Sequence, residues 1–211
     1  MRVFTHSEPG GKIENEDYLI ANPHPGFPLG YVCLLADGQG GQSNGALAAR
    51  TACETAWQLS SQRSFEGLLE ANAWQMILAD TDVAVAATGG YTTLIGFAIR
   101  ENYLCGASCG DAKLFLSDGA GGIVEPTSKQ RKNPPVGSGE AAFEGFYARL
   151  QTRNRLLAVS DGVWKYCGHE ALREAFQLGD FSNAAGFLRD AVSKTGAALP
   201  DDFSLVAVDI I

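Results

Sequence analysis

The stretch "YVCLLADGQGGQSNGALAAR", residues 31–50, passes from an apolar run to a carboxylate, a glycine-rich loop and an alanine-rich segment. The apolar run predicts a strand buried on both faces, and Asp37 ends it. The alanine-rich segment predicts a helix with Ser43 or Asn44 as its N-cap. Because glycine has no Cβ, the loop after Asp37 would let a ligand and the backbone approach closely.

The rest of the chain alternates between strand and helix patterns. Strands are predicted in "DYLIANP", "RLLAVSD" and "DFSLVAVDI", and an antiparallel meander in "YTTLIGFAIRENYLCGASCGDAKLFL". Apolar residues spaced three to four apart predict helices over 44–61 and about 66–86, the second capped by Ser64. Helices are also predicted in "HEALREAFQ" and "SNAAGFLRDAVSK". Residues 118–154, rich in glycine, proline and polar residues, predict a loop or short flap.

Length and composition indicate a globular chain. The 211 residues suffice for one domain, expected to span 1–211, and 45% of them are hydrophobic against 19% charged. Helix pairs between groups of antiparallel strands indicate the α+β class, in which helices stack outside packed sheets.

The charge pattern excludes several partners. Acidic residues outnumber basic ones by 24 to 16, and the basic stretch "KQRK" at 129–132 is too short to bind a nucleic-acid backbone. The apolar runs are shorter than a membrane span, and the first residues contain no signal-peptide h-region. We therefore expect a cytoplasmic protein with neither nucleic-acid nor membrane partners.

Cysteine and histidine offer no ligand pattern. The five cysteines are odd in number and mostly lie in apolar segments, which predicts buried, reduced thiols. His6 and His24 lie in polar or proline-rich segments and are expected at the surface.

Four carboxylates recur at strand ends. Asp37 and Asp161 each follow a buried strand and precede a glycine, whereas Asp17 and Asp201 come just before strands. Taken singly, an Asp-Gly pair is an ordinary turn former. In antiparallel neighbours, however, one strand ends beside the start of the next, so the four can meet at one sheet edge. Oxygen ligands without paired histidines favour Mg²⁺ or Mn²⁺ between them.

These motifs resemble those of the type 2C metal-dependent serine/threonine protein phosphatases, in the family's order along nearly the whole chain. "GKIENED" is similar to the Asn-Glu-Asp motif, "LLADGQGG" to Asp-Gly-x-Gly-Gly and "YTTLIGFAI" to the Thr-Thr-Leu strand. "CGDAKLFL" resembles the Gly-Asp-Ser-Arg strand, "LLAVSDGVW" the Ser-Asp-Gly-Leu/Val-Trp motif and "DDFSLVAV" the terminal Asp-Asn-x-Thr/Ser motif. The resemblance implies a four-layer fold, a β-sandwich of two antiparallel sheets flanked by helix pairs.

The resemblance also implies a centre with two Mg²⁺ or Mn²⁺ ions. Asp37 would bridge both ions, Asp161 and Asp201 would complete one, and the Gly38 carbonyl with waters would complete the other. Water activated by the two metals would attack phosphorus in line, so that phosphoserine or phosphothreonine is hydrolysed without a covalent intermediate.

Further roles follow from the same resemblance. Glu16 and Asp17 would orient water or act as ligands at the edge of the centre. The catalytic residues implied are Asp17, Asp37 and Asp161. Asp111 matches a position that helps to hold a more weakly bound third ion in bacterial members. Lys12 stands where an arginine commonly binds the phosphate. The expected partner is a phosphoprotein that a serine/threonine kinase modifies, and the expected state is a monomer.

Several residues depart from the family pattern. Ala112 and Lys113 replace the usual Ser-Arg pair, Gln39 replaces a histidine of animal members and so cannot supply a general acid, and the flap is short. These departures keep open an alternative, a catalytically weak pseudophosphatase that binds a phosphoprotein or a regulatory partner.

A second alternative is an α/β-hydrolase. "GASCG" fits the nucleophile-elbow pattern with Ser108 as nucleophile, and Asp161 and His169 follow in the required order. The elbow requires a helix after the turn, whereas a second strand is predicted there.

Overall fold

Strands and helices of this chain form two sheets in the computed structural model, which describes residues 1–11, 14–39, 44–117, 121–193 and 198–211. The strands are β1 (Arg2–Glu8), β2 (Asp17–His24), β3 (Phe27–Asp37), β4 (Leu94–Arg100), β5 (Tyr103–Cys109), β6 (Lys113–Ser117), β7 (Ile123–Val124), β8 (Glu144–Arg149), β9 (Arg155–Val159) and β10 (Phe203–Asp209). The helices are α1 (Gly45–Ser61), α2 (Ala71–Ala86), α3 (Asp161–Ala175) and α4 (Ala184–Ser193), with 3₁₀ turns at Glu66–Leu69 and Phe181–Asn183.

Both sheets are antiparallel and have five strands each. The strand order is β1-β10-β9-β6-β7 in one sheet and β2-β3-β4-β5-β8 in the other. One apolar core lies between the sheets, a second between the β3 sheet and the α1–α2 pair, and a third between the β10 sheet and the α3–α4 pair. The expected class, a four-layer β-sandwich flanked by helix pairs, is therefore confirmed.

The central strands show why both of their faces are apolar. In β3, Val32 and Leu34 pack toward α1 and α2, whereas Cys33 and Leu35 pack toward the other sheet. Alternate residues of a strand point to opposite faces, so a strand in a middle layer needs apolar residues at every position. This arrangement confirms the prediction that the strand ending at Asp37 is buried on both faces.

Several predicted elements differ from the structure. The N-terminal strand β1, which no prediction included, pairs with β10. The helix predicted over about 66–86 is a 3₁₀ turn followed by α2, and the Ser64 hydroxyl accepts the N–H of Gly67 in that turn. Asn44 is the N-cap of α1 without a capping side-chain bond, and Ser43 lies outside the described residues.

The predicted meander is wrong after its first hairpin. β4 and β5 pair with each other, but β6 belongs to the opposite sheet, where it pairs with β7 and β9. The chain crosses between the sheets at Gly110 and Asp111, and Gly110 has a φ of 128°. Glycine suits this position, because side chains disfavour positive φ and a Cβ would lie 2.4 Å from the Cβ of Thr93. The crossing leaves Asp111 at the rim of the sandwich.

The segment expected to form a short flap, described over 121–154, contributes β7 and β8 to the sheet edges. Between them, the buried carboxylate of Asp82 in α2 accepts the N–H groups of Gly137 and Ala141, at 2.5 and 3.1 Å. These two bonds hold the segment against α2.

The cysteine prediction is confirmed, since all five are free and buried. For His24 the prediction is wrong, because its ring is only 2% exposed and packs edge-on against Phe65. In the described part of the chain, no helix has the length and apolar character that a membrane span requires.

Candidate functional site

A cleft of about 440 Å³ opens at one end of the sandwich, where strands of both sheets end. Its carboxylate lining consists of Asp37, Asp111, Asp161, Asp201 and Asp202. The structure thus brings three of the four strand-end carboxylates that the sequence singled out, Asp37, Asp161 and Asp201, to one edge. Asp37 comes from the β3 sheet, and Asp201 and Asp202 precede β10.

Asp17 lies beside Asp37 in the register of β2 and β3 and is 5% exposed. Neither oxygen of the Asp17 carboxylate has a hydrogen-bond partner among the described residues. Burial, with the negative charges of Asp202 and Asp161, raises the pKa of Asp17 from 3.8 to about 7, although the hydroxyls of Ser160 and Ser204 act to lower it. Near neutral pH, the ionised form of this carboxylate therefore has two serine hydroxyls nearby but no cationic partner among the described ion pairs.

The backbone of Asp37 is fixed on both sides. Its N–H donates to the hydroxyl of Thr93 at 3.0 Å, and its carbonyl accepts the hydroxyl of Thr92 and the N–H of Thr93, at 2.9 and 2.8 Å. The two threonines that precede β4 therefore hold the end of β3 by bonds that do not involve the Asp37 carboxylate. That carboxylate remains available for a ligand.

The charge environment of Asp37 disfavours its ionised form in the absence of a cation. Burial raises the pKa of Asp37 well above its usual value, and the negative charges of Asp17, Asp161 and Asp111 raise it further. A positive ion in the cleft would reverse each of these effects, because it stabilises the ionised carboxylates.

Two glycines allow the surrounding elements to approach. A Cβ on Gly38 would lie 2.4 Å from the carbonyl oxygen of Gly45 in α1, and one on Gly162 would lie 2.0 Å from the carbonyl oxygen of Asp202. Close packing therefore explains Gly38, where the sequence suggested room for a ligand; the loop residues 40–43 lie outside the described residues.

Asp161 and Asp201 enter the cleft from neighbouring strands of the other sheet. Asp161 is the first residue of α3, where the partial positive charge of a helix N-terminus favours a carboxylate. The connection is fixed by the N–H of Ser160, which donates to the carbonyl of Ser204 at 2.9 Å. The Asp201 carboxylate accepts only its neighbour's backbone N–H, from Asp202, among the bonds described.

Asp202 is a site carboxylate that the sequence prediction missed. It is 5% exposed, and its two oxygens accept the backbone N–H groups of Gly10 and Glu16, each at 2.8 Å. It stands where the terminal motif has asparagine, so the doublet of acidic residues before β10 was the available signal. Asp202 therefore fixes the β1–β2 connection beside the cleft.

Replacing Asp202 with alanine is expected to lower the free energy of unfolding by about 2 kcal/mol, because two partly buried N–H groups lose their acceptor. Urea unfolding in EDTA at pH 5 measures this loss with Asp17 largely protonated, so that relief of charge repulsion contributes little. Asp202→Asn keeps one acceptor and should lose about half as much. Equal stability of Asp202→Ala and wild type would contradict this role.

Two lysines face the outer part of the cluster. The Lys165 ammonium lies 2.5 Å from one oxygen of Asp161 and 3.4 Å from an oxygen of Asp111. The Lys132 ammonium lies 2.5 Å from the same Asp111 oxygen. Neither lysine was predicted as a site residue, because neither belongs to the motif residues that the family uses at its metal centre. The outer carboxylates are therefore compensated, unlike Asp17 and Asp37.

The remaining predicted site residues lie on the β1–β2 connection and after β3. The carbonyl of Glu16 accepts the N–H of Gly38 at 3.0 Å, which ties the two segments together. Gln39 lines the cleft. Lys12, the predicted phosphate ligand, lies outside the described residues.

The inner carboxylates fit a hard divalent cation. Over the residues that the structure describes, no three acidic, histidine or cysteine side chains already converge as a metal-binding set. Asp17 nevertheless has two buried oxygens without partners, and Asp37 is crowded by like charges. Oxygen-only donors of this kind suit Mg²⁺ or Mn²⁺.

The α/β-hydrolase alternative is wrong. Ser108 is fully buried inside β5, and the next element is β6 rather than a helix. His169 is exposed on α3. The nucleophile-elbow geometry is therefore absent at Ser108, within the described segment 44–117 that contains it.

Neither protein-family models nor the sequences of curated proteins match this chain. Solved structures do. The catalytic domain of the serine/threonine protein phosphatase PstP, in complex with two manganese ions, is 22% identical with a TM-score of 0.81, over 99% of this chain and 97% of that one. PppA of Pseudomonas aeruginosa is 19% identical with a TM-score of 0.81, over 99% and 96%. MsPP of Mycobacterium smegmatis, a PPM Ser-Thr phosphatase in complex with cacodylate, is 19% identical with a TM-score of 0.75, over 100% and 99%.

These similarities confirm the predicted fold. The chain has the four-layer architecture of the PPM, or type 2C, serine/threonine phosphatases along nearly its whole length. At this level of identity, the likeness bears on architecture and leaves the chemistry to the residues of the cleft.

Proposed function

We propose that this chain is a metal-dependent protein phosphatase that hydrolyses phosphoserine and phosphothreonine. The observation that carries the proposal is a pair of neighbouring carboxylates at the end of a type 2C phosphatase fold: Asp17 is buried and Asp37 half-buried, and neither has a cationic partner among the described ion pairs. A buried carboxylate without a partner is costly, so its presence is best explained by a ligand that supplies positive charge.

The proposed ligand set uses two Mg²⁺ or Mn²⁺ ions. Asp37 would be shared by both, Asp161 and Asp201 would hold one, and the Gly38 carbonyl would hold the other. When bound, the two ions lower the pKa of water and stabilise the negative charge of the phosphate oxygens. The PstP structure, which contains two manganese ions, supports this number.

The protein itself contributes position and charge. Thr92 and Thr93 hold the Asp37 backbone, so the shared carboxylate keeps its place. Asp17 and Glu16 lie at the inner edge, where a carboxylate can orient water or accept its proton. Lys12 is proposed to bind the substrate phosphate as a point charge.

The cleft suits a phosphorylated side chain of a protein. It opens to solvent, and Lys132 and Pro135 of the segment between β7 and β8 border it. A segment at this position can contact residues that flank the phosphorylated one. We propose a phosphoprotein substrate, modified by a serine/threonine kinase in a cytoplasmic signalling pathway, and a monomeric catalytic domain spanning 1–211.

The proposal is tested by hydrolysis of p-nitrophenyl phosphate and of a phosphothreonine peptide by the purified chain. Turnover is expected with Mn²⁺ or Mg²⁺ and should be lost with EDTA, then restored when metal is added in excess. Turnover that persists in EDTA would contradict a metal-dependent phosphatase.

The alternative is a pseudophosphatase that binds a phosphoprotein or a regulatory partner. The observation that favours it is the compensation of Asp161 by Lys165, since a carboxylate paired with an ammonium is a weaker metal ligand. Stoichiometric binding of Mn²⁺ and of a phosphopeptide, without turnover of either substrate, would support this alternative.

A further inference from the structure

The outer part of the cluster differs in charge from the inner part. Asp111 and Asp161 face the ammonium groups of Lys132 and Lys165, so these four side chains sum to zero. In contrast, no lysine, arginine or histidine of the described residues forms an ion pair with Asp17 or Asp37. A divalent cation that enters the cleft should therefore bind more strongly to the inner carboxylates than to the outer ones.

Lys165 lies between two carboxylates that could otherwise share an ion. Its ammonium lies 2.5 Å from one carboxylate oxygen of Asp161 and 3.4 Å from one carboxylate oxygen of Asp111. Residues four apart on a helix lie on one face, so α3 places Lys165 directly over Asp161. An ammonium within hydrogen-bonding distance of both carboxylates occupies the space that a cation bridging them would need.

A third contact fixes this arrangement. The indole N–H of Trp164 donates to the carbonyl of Asp111 at 2.9 Å, and the Lys165 ammonium lies 5.6 Å from the centre of the Trp164 ring. The aromatic ring attracts the ammonium through a cation–π interaction. Trp164 thus fixes the backbone of Asp111 and adds a weaker attraction for Lys165, since the ammonium nearest its ring is that of Lys113, at 4.2 Å.

We infer that the Lys165 ammonium takes the position of a third divalent cation, between the carboxylates of Asp111 and Asp161. The resemblance suggested a third ion at Asp111, and the residues present do not fit one. The inference rests on the proposed function: the centre then holds two ions, and the third positive charge is a permanent part of the chain. The experiment below distinguishes failure of the inference from failure of the proposed function.

The experiment counts bound Mn²⁺ by equilibrium dialysis of the full chain at millimolar Mn²⁺. Wild type is expected to bind two ions, and Lys165→Asp, which removes the ammonium and adds a ligand, is expected to bind three. Lys165→Met, which removes only the charge, should also gain an ion, with weaker affinity. Anomalous scattering from Mn²⁺ in crystals of Lys165→Asp should place the added ion between Asp111 and Asp161.

Matched variants separate position from charge. Lys129→Asp makes the same change of charge on an exposed lysine of the neighbouring segment and should leave two ions. Lys132→Met removes the ammonium that contacts Asp111 alone and should also leave two. Thermal unfolding checks that each variant is folded. If Lys165→Asp does not fold, the count of bound Mn²⁺ in Lys165→Met provides the test.

The outcomes distinguish the inference from the proposed function. Three ions in wild type, or an unchanged count of two in both folded Lys165 variants, would overturn the role of Lys165 and leave a metal-dependent phosphatase standing. A gain of an ion in Lys132→Met or Lys129→Asp would overturn it as well, because general charge would explain the effect. A wild type that binds no Mn²⁺ would overturn the proposed function and the inference together.

Discussion

Replacing Asp37 with alanine is expected to reduce metal-dependent turnover by at least about 10³-fold, since loss of a ligand shared by two ions removes several kcal/mol of transition-state stabilisation. The fold should survive, because the hydrogen bonds of Asp37 to Thr92 and Thr93 come from its backbone. Hydrolysis of p-nitrophenyl phosphate at saturating Mn²⁺ measures the loss, beside circular dichroism and Mn²⁺ binding.

Two further variants sharpen the Asp37 result. Asp37→Asn keeps the side-chain shape and should lose turnover to a similar extent, and without metal at pH 8 it should be at least as stable as wild type, because a repelling charge is gone. Asp80→Ala makes the alanine change at an exposed position of α2 and should keep full turnover. Full turnover of Asp37→Ala would exclude this residue from the metal centre.

The layer pattern of the fold was readable from the sequence because the strands of the middle layers are apolar at every position. The runs ending at Asp37 and Asp161 were predicted as buried strands and the run beginning at Phe203 as a strand, and each borders the core between the sheets. Strand-end carboxylates could be assigned to one edge for the same reason, since antiparallel pairing fixes which strand ends meet.

Elements at the sheet edges were less predictable. β1 alternates between exposed and half-buried residues and pairs with a single neighbour, β10, so its sequence carries only a weak apolar signal. The crossing from β5 to β6 depends on Gly110, whose positive φ turns the chain toward the other sheet. A short connection between two apolar runs is typical of a hairpin, and nothing in the local sequence distinguishes the crossing from one.

The ion pairs and hydrogen bonds around the site could not be predicted from the local sequence. Asp202 bonds to residues at the other end of the chain, 192 and 186 positions away. Lys132 reaches Asp111 from 21 positions along the chain. Only Lys165 lies at a helical spacing from its partner, Asp161, and that pairing becomes informative once Asp111 is known to face it.

The stability of the metal-free protein should depend on Asp17 in a way that pH reveals. Its pKa is raised from 3.8 to about 7 in the fold, so between these values the folded state binds a proton that the unfolded state releases. The free energy of unfolding is therefore not lowered by Asp17 below about pH 4, and it decreases as the pH rises from 4 toward 7. Asp17→Asn cannot ionise, so it should gain about 3 kcal/mol relative to wild type between pH 5 and pH 8.

Urea unfolding of wild type and Asp17→Asn in EDTA, at pH 5, 6, 7 and 8, measures this difference directly. Comparing the two proteins at each pH cancels the titration of every group that the substitution does not affect. A difference that stays constant over this range would show that the pKa of Asp17 is not raised. Saturating Mn²⁺ should abolish the gain, because bound cations stabilise the ionised carboxylate of wild type, which the amide of Asp17→Asn cannot replace. The same buried charge that weakens the metal-free fold near neutral pH thus becomes a source of metal affinity.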